Sequence, residues 1–147
     1  LNHKVIFIVT NAIDPAWTSG YAERFDYRVD VLRRRNLVEA ATPDGRQVAR
    51  SERTLLIDEQ SHGLVFYFPR SDVDMSALVR IDRVSHCPFK GVASYFALAG
   101  NAAGEPVAWS YETPYPEVSQ IAEHIAFYQD RMVVRLGVAI FPIPKKA

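Results

Sequence analysis

The sequence predicts a mainly β domain with two short helices. Three observations carry that reading. Phe25, Tyr27, Val29 and Val31 alternate with Asp26, Arg28 and Asp30, the period of two that marks a half-buried strand. Short β-branched and aromatic runs recur along the chain, bounded by Gly, Pro and Asp. Helical spacing is confined to two brief stretches, 71–79 and 117–125.

Taken in order, 5–9 is a β-branched and aromatic strand. Asp14-Pro15 and Ser19-Gly20 then signal a loop. Residues 1–24 stand apart as an N-terminal extension: an edge strand, an arm reaching a partner, or a variable addition. The strand from Phe25 opens a single β domain over 25–140. Pro43-Asp44-Gly45 is a turn, because proline presets φ and glycine accepts positive φ. It joins strands 37–41 and 46–49 as a hairpin. Strands 54–57 and 64–68 follow, and Pro69, with no amide donor, ends the second. The first helix is 71–79, with Asp72 or Asp74 accepting from its first-turn amides. Strands 80–86 and 92–98 flank Cys87-Pro88-Phe89-Lys90-Gly91. After a small-residue turn at 100–104 comes strand 106–111. In 117–125, Val118, Ile121, Ala122 and Ile125 recur at helical spacing and predict one buried helix face. Residues 127–128 and 132–136 close the sheet, and 141–147, with Pro142 and Pro144, form a tail.

The chain of 147 residues suits one core. Its net charge of +0 provides no field toward nucleic acid or an anionic membrane, so neither is expected as a partner. Arg33-Arg34-Arg35 reads as a solvated basic run. The longest apolar run is too short to span a bilayer. No signal peptide is read, and the cytoplasm is the default compartment. One cysteine excludes an intrachain disulfide and a four-cysteine zinc site.

Several ordered blocks carry a resemblance. They are Phe66-Tyr67-Phe68-Pro69 with Asp72-Val73, His86-Cys87-Pro88-Phe89-Lys90-Gly91, Ala93-Ser94-Tyr95, Ala108-Trp109-Ser110-Tyr111, and His124-Ile125-Ala126-Phe127-Tyr128. Over residues 47–134 the chain resembles the bacterial domain of unknown function 427, a family that also carries a nucleotidyltransferase-like label. The resemblance implies a compact β-tent-like domain of two small antiparallel sheets. Many architectural relatives hold zinc between two Cys-x-x-Cys pairs. With one cysteine, this chain is expected to lack that metal, and no cofactor is expected.

Cys87 is either a nucleophile, assisted by His124 or Lys90, or a small buried core residue; the second is the usual fate of a lone cysteine. His86 precedes it, but strand neighbours point to opposite faces. A metal site would need His86, Cys87 and His124 to converge. Asp72 and Asp74 have the spacing of a magnesium-binding pair for nucleotidyl transfer, but no Gly-Gly or Gly-Ser turn precedes them, and helix capping explains both. Trp109 and Tyr111, two apart on one strand, share a face.

The leading reading is a small domain that binds a small polar or anionic molecule in an aromatic-lined pocket. Lys90 would pair the anion, Tyr95, Trp109, Tyr111 and Tyr128 would supply area, and His86 or His124 would exchange a proton. The alternatives are an enzyme, nucleotidyltransferase-like or Cys87-dependent, and a protein-interaction module in which residues 1–24 pair with a partner or a second copy of the chain.

Overall fold

The computed structural model describes residues 9–137, with Val9 described by its backbone alone. The expected strand residues 5–8 and the tail at 141–147 lie outside them. Among the described residues, eleven strands form two antiparallel sheets that do not close into a barrel. They are β1 (Val9–Thr10), β2 (Val29–Arg33), β3 (Val38–Ala41), β4 (Gln47–Ser51), β5 (Leu55–Glu59), β6 (Val65–Pro69), β7 (Leu78–Cys87), β8 (Gly91–Leu98), β9 (Ala108–Ser110), β10 (His124–Phe127) and β11 (Val133–Leu136). The larger sheet runs β1-β7-β8-β9-β10-β6-β5-β2, and the smaller one β11-β3-β4. The mainly β arrangement of two antiparallel sheets is the one expected, with eight strands in the larger.

Side-chain alternation splits the large sheet into two faces. Phe68, Phe96, Ala108, Ile125 and Phe127 face one way and meet Val38, Ala40 and Val48 of the small sheet. Tyr67, Ala93, Tyr95 and Ala126 face the other way, into a second core with Cys87, Phe89 and Tyr111. The Pro43-Asp44-Gly45 turn joins β3 to β4 as expected, with Gly45 at φ 97°. Strands β7 and β8 pair along their length, interrupted by a bulge between Ile81 and Val84.

Three sequence expectations are corrected. The strand from Phe25 begins only at Val29; Phe25 is 87% exposed and belongs to a turn. Residues 70–77 form two 3-10 turns rather than one helix, and Asp74 caps the second by accepting from the Ser76 amide. The helix over 117–125 is absent. Pro116–Ile121 is a kinked 3-10 turn, Ala122 is extended, and Glu123 takes a left-handed φ of 58°. The apolar residues that looked like one helix face serve different cores. Val118 and Ile121 enter the second, while Ile125, now in β10, enters the first.

Residues 9–27 touch the domain at several points. Strand β1 pairs with β7. The Gly20 amide donates to the Pro88 carbonyl at 2.8 Å, a close approach that favours glycine, since a Cβ there would press on Pro88 at 3.0 Å and Phe89 at 3.1 Å. The Tyr21 hydroxyl donates to the Phe89 carbonyl, and the Tyr27 ring stacks on Phe89. No described helix is long and apolar enough to cross a membrane.

Candidate functional site

Two polar clusters sit on opposite faces of the large sheet. The first contains most of the residues singled out from the sequence. Lys90, in the β7–β8 turn, is 6% exposed and pairs with Glu59 at the end of β5, itself 4% exposed. The Tyr27 hydroxyl donates to the other Glu59 oxygen at 2.8 Å, and the Lys90 ammonium lies 5.8 Å from the centre of the Tyr111 ring. Burial alone would lower the Lys90 ammonium, but electrostatic coupling to Tyr67, Cys87 and Glu59 outweighs it and holds it above the ordinary lysine value. Trp109 donates to the Tyr67 hydroxyl at 3.1 Å and packs against Tyr128. Tyr95 shares a 2.6 Å hydrogen bond with Ser85. Burial pushes the Tyr67 and Tyr128 phenols up to about 12.

Lys90, Glu59, Tyr27, Trp109, Tyr67, Ser85 and Tyr95 have hydrogen-bond partners within this face. Lys90, Tyr95 and Tyr111 are buried core residues, and the Lys90 charge is already neutralised by Glu59, so it is not free to pair an external anion. Cys87 is fully buried in this face, and burial pushes its thiol up, disfavouring the thiolate that a nucleophile needs. His86 points away from Cys87. It stacks on Trp17 with ring centres 5.4 Å apart and bonds Tyr115 at 2.6 Å. Burial lowers its pKa. The two aspartates are also engaged internally. Asp72 accepts from Ser51 and Arg53, and Asp74 from Ser76 and Arg46. Hydrogen bonds from Ser51 and Ser76, respectively, lead the causes that hold both carboxyls below the usual range. No group of three His, Cys, Asp or Glu among the described residues is placed to hold a metal ion.

His124 belongs elsewhere. It lines a cleft of about 230 Å³ with Arg70, Arg80, Ser110, Glu112, Glu123 and Ile125. Alternation sets Ser110 on the β9 face that carries Ala108, toward the small-sheet side, and Glu112 follows just beyond the strand. Arg80 precedes the β7 bulge, a feature that commonly re-aims side chains near sites. It reaches across β8, bonding Ser94 at 2.7 Å and Glu112 at 2.5 Å. The Arg70 amide donates to the Glu123 carbonyl at 2.8 Å, tying the end of β6 to the turn before β10. His124 Nδ1 lies 2.7 Å from the Ala122 carbonyl. That oxygen can only accept, so Nδ1 carries a proton and donates to it.

Ser110 is 2% exposed, yet its hydroxyl has no hydrogen-bond partner among the described residues. Buried polar atoms rarely go unpartnered. The Arg70 and Glu123 side chains enter none of the ion pairs among the described residues. The sequence reading missed Arg70, Arg80, Ser110, Glu112 and Glu123. Its one available signal was that Ser110 and Glu112 are two apart, the spacing of one strand face.

Fold and sites together define a mainly β, two-sheet domain with a closed polar core on one face and an open polar cleft on the other. The chain belongs to the family described as domain of unknown function (DUF427), whose model matches residues 29–136. No curated protein matches it.

Proposed function

We propose that this domain binds a small polar or anionic molecule, and that the binding place is the cleft of Arg70, Arg80, Ser110, Glu112, Glu123 and His124. The observation that carries the reading is the buried Ser110 hydroxyl, unpartnered, at the wall of a cleft with two arginines. A ligand oxygen there would satisfy it, and Arg70 would supply a charge-assisted hydrogen bond. The cleft is smaller than the roughly 300 Å³ at which drug-sized pockets begin. At about 30 Å³ per liquid water, it has room for on the order of eight waters or one small metabolite. The buried, reduced Cys87 accords with a cytoplasmic setting.

Calorimetric titration of the full chain with acetate and inorganic phosphate tests this reading. A bound anion should lose about tenfold in affinity in Arg70→Gln. In thermal unfolding, ligand at about 100 times Kd should stabilise the wild type by about 2.7 kcal/mol. Binding that is unchanged in Arg70→Gln and in Ser110→Ala would overturn the assignment.

A further inference from the structure

From the charges lining the cleft, and resting on the reading above, we infer that its ligand is a small zwitterion carrying one carboxylate and one ammonium group, of the amino-acid type. Arg80 and Glu112 pair with each other, so their charges cancel locally. What remains is one cation, Arg70, and one anion, Glu123, neither in an ion pair among the described residues. The chain holds these two in fixed relation, because the Arg70 amide is bonded to the Glu123 carbonyl. Glu123 adopts a left-handed backbone, φ 58°, which is uncommon for a residue with a side chain.

A simple anion entering this cleft would gain Arg70 but would also face Glu123 and Glu112. A simple cation would gain Glu123 but face Arg70 and Arg80. Like-charge juxtaposition of this kind selects against both. A zwitterion places its carboxylate at Arg70 and its ammonium at Glu123. The Ser110 hydroxyl remains for a donor or acceptor on the same ligand. The cleft volume limits the ligand to a compact molecule.

The test uses three probes that share a carbon frame: L-alanine, propionate, which lacks the ammonium, and ethylamine, which lacks the carboxylate. Each is titrated at pH 7 into the full chain by calorimetry and amide NMR. L-alanine is expected to bind about tenfold more tightly than either single-charge probe. Glu123→Gln should remove its advantage over propionate, and Arg70→Gln its advantage over ethylamine. Propionate binding as tightly as L-alanine, weakened by Arg70→Gln and indifferent to Glu123→Gln, would overturn the zwitterion inference and leave anion binding at this cleft standing. No change at the cleft amides with any of the three, nor with acetate or phosphate, would overturn both.

Discussion

The two polar clusters of the large sheet use similar residue types to opposite ends. Around Lys90, an ammonium and a carboxylate are removed from water and paired with each other, with the Tyr27 hydroxyl on the carboxylate and the Tyr111 ring beside the ammonium. Around Ser110, two arginines, two glutamates and a histidine surround open space, and one buried hydroxyl is left without a partner among the described residues. The first arrangement consumes its hydrogen-bonding capacity in holding the chain together. The second retains capacity that only a ligand or solvent can use. Reactive residue types thus mark a site only where their valences are not already spent inside the fold.

The largest effect should come from opening the closed cluster. Lys90→Ala leaves the Glu59 carboxylate buried and uncompensated, and should cost about 3–5 kcal/mol in denaturant unfolding. Replacing both partners, Lys90→Met with Glu59→Leu, should cost clearly less, because no charge is left buried alone. If the single and double variants were equally destabilised, the packing of Lys90 rather than its charge pairing would dominate this face.

A pair of serines sharpens the contrast at smaller scale. Ser85→Ala breaks the buried bond to Tyr95 and should cost about 1 kcal/mol. Ser110→Ala removes a hydroxyl with no partner, so its unfolding free energy should stay level or rise slightly. A Ser110→Ala loss as large as that of Ser85→Ala would mean that the hydroxyl supports the fold rather than awaiting a ligand.

The smallest effect concerns His86. Burial lowers its folded pKa below the usual 6.5, so the unfolded chain takes up the proton more readily. Stability should therefore fall as pH drops below about 6.5, with the penalty complete once pH lies under the folded value. In Trp109→Phe, Trp17 is the remaining tryptophan, and its fluorescence should report loosening of its stack on His86 across that window. Emission that stays flat from pH 7 to 5 would argue that the stack tolerates the charged ring.

Much of this fold was legible from local sequence. The Pro43-Asp44-Gly45 turn located one hairpin, and the runs on either side of Cys87-Pro88 located two strands that the structure pairs, because turn chemistry and alternation act over a few residues. Strand alternation also separated His86 from Cys87 correctly. The segment 117–125 was misread because apolar residues at helical spacing are divided between two cores, which periodicity alone cannot distinguish from one helix face. Lys90 looked free because its partner, Glu59, lies 31 residues earlier. The cleft escaped notice because it is assembled across separate elements, from Arg70 after β6, Arg80 in β7, Ser110 in β9 and Glu123 before β10. Only the sheet order brings them together.

The most direct test of the division between closed and open clusters is an amide NMR titration of the full chain with L-alanine. Shifts concentrated at Arg70, Ser110, Glu112, Glu123 and His124, with Tyr27, Glu59 and Lys90 unmoved, are the predicted result. Shifts centred on Glu59 and Lys90, with the cleft silent, would contradict it.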